Sequence, residues 1–162
     1  MTEGRIYRVA GYVKLAKLWE RMKGEAIAYH REYYSCKYHN DTTMRLAGVY
    51  IDITGQKQIY KRPEMLRLLK DCAAGKVDCI ASQTKGYLAA DSRELCYLLK
   101  YLFDLPGKVE IVTEDDHYRI DTIRDVEGQR QALQRMAEDF AALDPVAYEN
   151  WKTKIISRIK TI

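Results

Sequence analysis

Proline occurs only three times in the 162 residues, no low-complexity tract interrupts the chain, and no apolar run approaches the roughly 20 residues that a membrane span needs. With 47% of residues apolar and 31% charged, the first two absences exclude intrinsic disorder. The N-terminus, Met1-Thr2-Glu3-Gly4-Arg5, leads into a strand-like segment without an apolar h-region. With the third absence, that points to a soluble, cytoplasmic protein with no membrane partner. Cys-x-x-Cys is missing as well. Cys36, Cys72, Cys79 and Cys96 are spaced widely and unequally, which excludes a zinc knuckle or a thioredoxin-type motif and leaves reduced structural thiols. His30, Cys36 and His39 lack a fourth ligand at usable spacing, so no metal is expected.

What is present suits one domain with a small appendage. The net charge of +4 is modest, but residues 145–162 hold Lys152, Lys154, Arg158 and Lys160 against Glu149 alone. These four cations are the candidate DNA contacts. Basic residues flanking an apolar stripe are also the ordinary solvated edges of an amphipathic helix, and that reading is the more economical one.

Residues 5–13 alternate and end in β-branched and aromatic side chains, predicting a strand that feeds a helix from near Leu15. Leu15, Leu18, Trp19, Met22, Ala26, Tyr29 and Tyr33 recur at steps of three and four and predict its buried face. After a turn at Asn40-Asp41, residues 44–52 read as a second strand and 53–61 as a polar loop. Pro63 opens a helix with Met65, Leu66, Leu68, Leu69 and Cys72 on its apolar face, stopping near Gly75. Residues 77–82 predict a third strand. Asp91 or Ser92 caps a helix built on Leu95, Leu98, Leu99, Leu102 and Phe103, which Pro106-Gly107 ends. Residues 108–113 predict a fourth strand and 117–121 a short edge strand.

Such alternation implies right-handed βαβ crossovers. The expected fold class is therefore α/β: a three-layer sandwich with a mostly parallel sheet of four to five strands, followed by C-terminal helices. Val126, Leu133, Met136, Ala137, Phe140 and Leu143 stripe one of these. Asp144-Pro145 then starts an amphipathic helix over 145–162, striped by Tyr148, Trp151, Ile155, Ile159 and Ile162.

The first strand, Arg8-Val-Ala-Gly-Tyr-Val-Lys-Leu-Ala16, resembles the opening of the serine recombinase (resolvase/invertase) catalytic domain. Where that family reads Tyr-x-Arg-x-Ser, this chain has Tyr12, Lys14 and Ala16. Further resemblances follow in order. Gly48-Val-Tyr-Ile-Asp52 is similar to the second strand with its acidic end, and Tyr60-Lys-Arg-Pro63 to the Arg-Pro helix start. Ala74-Gly75-Lys76-Val77-Asp78 is similar to the turn into the third strand, and Ile120-Asp121-Thr122 to the segment before the long dimerisation helix. Residues 5–143 thus resemble a resolvase-like catalytic domain, with the helix at 145–162 beyond it.

The resemblance implies an enzyme in which a serine attacks a DNA phosphate while arginines neutralise the charge developing there. Carried over by position, Arg62 matches one active-site arginine, Tyr12 the tyrosine, and Lys14 stands in for an arginine without its planar fork. Ala16 replaces the nucleophile and has no hydroxyl. Gln56 takes the place of a second loop serine, which Thr54-Gly55 would fill under a shifted alignment. Gly86-Tyr87-Leu88-Ala89-Ala90 stands where an Asp-Arg-x-x-x-Arg-like cluster belongs, and Lys85 is the one cation between Gln83 and Asp91. No competent catalytic residue remains on this reading; Tyr12, Lys14, Ala16 and Arg62 are relic positions. The competing reading makes Arg62 a helix-start ion-pair partner and Lys14 a strand-end surface charge.

The functional expectation is a serine-recombinase-like domain that has lost cleavage and serves as a dimerisation, regulatory or DNA-associated module. It would pair with itself or with an intact recombinase through the stripe at 126–143, and would use no cofactor. A second reading keeps the enzyme and moves the attack to Ser82 or Thr84, although neither has a histidine or second cation close in sequence. A third is an unrelated doubly wound binding module. A receiver would want acidic residues near Lys14 and an aspartate at Ser82, and a flavodoxin-like domain would want a phosphate loop that residues 14–17 do not offer.

Overall fold

The computed structural model describes residues 4–162; Met1-Thr2-Glu3 of the N-terminal reading lie outside the described residues. Four parallel strands, β1 (Tyr7–Leu15), β2 (Met44–Ile53), β3 (Cys79–Ser82) and β4 (Glu110–Thr113), are ordered β2-β1-β3-β4. The chain moves outward from β1 to β2 and then returns past β1 to β3. Winding therefore reverses between β1 and β3, and a crevice opens at the C-terminal strand ends, where open α/β sheets place their sites.

Helix α1 (Lys23–Tyr38) covers one face of the sheet, and α2 (Pro63–Ala73) and α4 (Ser92–Asp104) cover the other. A single turn, α3 (Lys85–Leu88), follows β3. Helices α5 (Gln129–Leu143) and α6 (Pro145–Lys160) close the chain over α2 and α4. The expected α/β class, with C-terminal helices after a four-stranded parallel sheet, is the one observed.

Alternation along β1 sets these layers. Tyr7, Val9 and Val13 are buried with Tyr34 and Tyr38 of α1, whereas Ala10 and Tyr12 enter the larger core under α2 and α4. Gly11 allows α1 to close in, because a Cβ there would lie 2.7 Å from the Tyr34 ring. On the opposite face the register sets Tyr12 beside Tyr50 and Lys14 beside Asp52. Helix starts follow the sequence signals: Pro63 lies in the first turn of α2, the Asp91 carboxylate accepts from Glu94 N–H at 2.8 Å, and the Asp144 carboxylate accepts from Ala147 N–H at 3.1 Å.

Two expectations are corrected. No helix starts at Leu15: β1 continues through that residue, and a short 3-10 stretch, Lys17–Met22, precedes α1. Leu18 is 76% exposed and Tyr29 63%, with Trp19 and Met22 also exposed, while Ala26, His30, Tyr34 and Tyr38 form the buried face. The tyrosine-rich helix carries two stripes, and the one that fits over Gly11 is the one buried. The edge strand expected at 117–121 reduces to a single antiparallel bridge between Val112 and Asp121. Tyr118 takes a φ of 54°, which breaks an extended run.

The stripe at 126–143 divides. Ala137 and Ala141 are buried and Leu133 and Phe140 pack against the core, whereas Val126, Met136 and Leu143 are exposed. In α6, Tyr148, Trp151 and Ile155 join the same core as α2 and α4. Cys72, Cys79 and Cys96 are buried free thiols and Cys36 an exposed one. Among the described residues no helix is long and apolar enough to cross a membrane.

Candidate functional site

The crevice is built around Asp52, buried at the end of β2. Its Oδ2 accepts from the Tyr12 hydroxyl at 2.8 Å and from Met65 N–H at 2.9 Å, and its Oδ1 from Glu64 N–H at 3.0 Å. A carboxylate on a neighbouring strand thus caps α2, a task that the residue at the cap position, Arg62, does not perform. Burial and the Asp52 charge push the Tyr12 phenol well above the usual tyrosine range, so it remains a neutral donor.

Arg62 is completely buried. One terminal nitrogen donates to the carbonyls of Tyr87 (2.7 Å) and Leu88 (3.2 Å), and the other to the carbonyl of Lys57 (2.6 Å). Its Nε, also buried, has no partner. The guanidinium therefore ties the loop before α2 to the α3 turn. Lys14 is half-buried and donates to the Thr54 carbonyl at 3.3 Å. Burial first and the Arg62 charge second lower its pKa from the usual lysine value. Tyr12 thus bonds Asp52, Lys14 lies within electrostatic reach of both Asp52 and Arg62, and Arg62 within reach of Tyr12. Ala16 lies exposed just past β1, where its carbonyl accepts from Trp19 N–H at the start of the 3-10 stretch.

The alternative nucleophiles are engaged elsewhere. Ser82 is buried and its hydroxyl donates to the Tyr12 carbonyl at 2.8 Å. Thr84 caps α3, accepting from Gly86 N–H, and donates to Asp115 at 2.9 Å. Lys85 pairs with Asp115 at 3.2 Å and donates to the carbonyls of His117 and Tyr118. Thr54 Oγ1 accepts from Gln56 N–H, closing a small turn.

No protein-family model and no curated protein sequence matches the chain. Solved structures do. The N-terminal catalytic domain of TP901-1 integrase is similar with a TM-score of 0.53 at 18% identity, over 85% of this chain and 98% of that one. The fold is that of a serine recombinase catalytic domain. The C-terminal catalytic domain of ISC1926 TnpA, an IS607-like serine recombinase, is similar at 17% identity with a TM-score of 0.52, over 78% of this chain and 80% of that one.

On this serine recombinase fold, the four cations of α6 do not share the crevice. Lys152 is half-buried, and Lys154, Arg158 and Lys160 are exposed. Lys154 Nζ lies 5.1 Å from the centre of the Tyr60 ring, which Lys61 Nζ also approaches at 5.7 Å. Arg158 lines a shallow cavity of about 450 Å³ with Lys61 and Arg67. The docking of α6 on α2 thus brings cations more than 90 residues apart in sequence onto one surface.

The residues that sequence reasoning missed are Glu94 and Trp151 as a pair. Glu94 is buried in α4, and its Oε2 accepts from Trp151 Nε1 at 2.9 Å and from Ile59 N–H at 3.2 Å. It joins α6 to the loop that carries Arg62. Each residue reads as part of an ordinary helix pattern; only tertiary closure brings them together.

Proposed function

We propose that this chain is a serine-recombinase-like module that does not cleave DNA and acts by associating with DNA or with a recombinase subunit. The observation that carries the reading is Arg62: a charge suited to gripping phosphate is sealed from solvent and engaged with three main-chain carbonyls. Ala16 offers no nucleophile, and the hydroxyls of Ser82 and Thr84 already serve the scaffold. The surface of Lys61, Lys154 and Arg158 supports DNA association through phosphate charge.

The test is a gel-shift and trapping experiment with duplex DNA. The expected result is reversible binding that weakens steeply with salt and with the charge reversal Lys154→Glu/Arg158→Glu, with no adduct surviving denaturation. A covalent protein–DNA species from the unaltered chain contradicts the proposal.

A further inference from the structure

On the α1 side of the sheet, next to the crevice, lies a cavity of about 510 Å³ walled by Trp19, Tyr29 and Tyr87. Glu25 is the one charged residue among its lining groups, in a chain whose net charge is +4. Leu15, Ala26 and His30 complete the lining. The His30 ring meets Tyr29 edge-on, with centroids 5.0 Å apart, which braces that ring. Burial lowers the His30 pKa, so the imidazole adds no positive charge at neutral pH. Lys14 points away, to the opposite face of β1 from Leu15. Among the described residues, cations of this chain lie over Tyr7, Tyr38, Tyr50 and Tyr60 but not over Trp19, Tyr29 or Tyr87.

Aromatic side chains with a carboxylate and no lysine or arginine in the lining are the elements of a cation-π site. Arg62 donates to the Tyr87 carbonyl, which anchors the main chain on one side of the cavity. Leu18 and Met22, exposed in the same 3-10 stretch as Trp19, add apolar surface to that segment, which suits a polypeptide better than a free ion. We propose that this cavity receives a basic side chain, arginine or lysine, presented by a partner polypeptide, with Trp19, Tyr29 and Tyr87 contacting its stem and cation and Glu25 supplying the counter-charge. The proposal does not depend on whether the chain binds or cuts DNA.

The test titrates the full chain with a capped Leu-Arg-Leu peptide and with the same peptide carrying citrulline, the uncharged isostere of arginine. Binding is followed by the two indole N–H signals in NMR spectra, Trp151 serving as an internal reference because it is bonded to Glu94. The expected result is saturable movement of the Trp19 signal alone, with affinity for the citrulline peptide about tenfold lower. Glu25→Gln should narrow that gap and Tyr29→Ala should abolish the response; both residues are exposed, and an unmoved Trp151 signal reports that each variant is folded. Equal affinity for the two peptides, or a still Trp19 signal, overturns the proposal. Choline binding as tightly as the arginine peptide, or a single-stranded oligonucleotide moving Trp19 more than the peptide does, overturns the assignment to a partner side chain.

Discussion

Arg62 is the side chain on which sequence and structure meet most directly. The Arg-Pro step marks it in the sequence as a helix-start arginine that resembles a phosphate ligand. Its actual partners, the carbonyls of Lys57, Tyr87 and Leu88, come from segments whose approach no local pattern announces. Neither sequence reading anticipates this, since the guanidinium is neither an exposed ion-pair partner nor open to the crevice. Arg62→Met is expected to remove the donor from one buried and two part-buried carbonyls and to cost about 1–3 kcal/mol, read as a lowered urea midpoint.

A second prediction concerns Arg8 and Asp78, joined by paired hydrogen bonds of 2.9 Å. The hydrogen bonds from Arg8 hold the Asp78 carboxyl below the usual carboxylate range. The unfolded chain therefore takes up this proton more readily than the folded one. The pair's contribution is present above the unfolded value of about 4 and is lost as pH falls through the lower folded value. Asp78→Asn is expected to lower the urea midpoint at neutral pH, and the difference from the unaltered chain should shrink at acid pH.

At the scale of elements, punctuation was legible and facing was not. Pro63, Asp91 and Asp144 start helices for local reasons that survive in the fold, and the apolar stripe of α2 is buried as read. The segment after β1 misleads because Leu18, Trp19, Met22 and Tyr29 have helical spacing, yet the competing stripe of Ala26, His30, Tyr34 and Tyr38 fits the glycine-lined surface of β1. Spacing alone does not say which of two stripes the sheet will accept.

Helix α6 is bound into the fold by more than its apolar stripe. Trp151 and Ile59 share the Glu94 carboxylate, so α6 and the Arg62 loop are mechanically coupled. Trp151→Phe keeps the aromatic bulk but removes the indole donor. The expected outcome is a loss of about 1–3 kcal/mol, with faster hydrogen exchange at the Ile59 amide than at amides of β1. Unchanged exchange at Ile59 would uncouple the two elements.

For the whole molecule, strand order, layering and the similarity to two serine recombinase catalytic domains agree with what alternating periods and ordered motifs imply. The scaffold was legible because βαβ geometry is written in short-range pattern. The chemistry of the crevice was legible only in part: the sequence shows an alanine at position 16, whereas the engagement of Arg62, Ser82 and Thr84 with the scaffold depends on distances between segments. Asp52 organises the crevice by capping α2 and holding Tyr12, a structural role.

The proposed reading turns on whether this crevice can support phosphate chemistry once a hydroxyl is supplied at Ala16. The most direct measurement restores the hydroxyl with Ala16→Ser and scores denaturation-resistant protein–DNA adducts on supercoiled and nicked duplex. The account predicts none, because Arg62 is buried and already donates to three main-chain carbonyls instead of being open to stabilise charge at phosphorus. A phosphoseryl adduct formed by Ala16→Ser would contradict it.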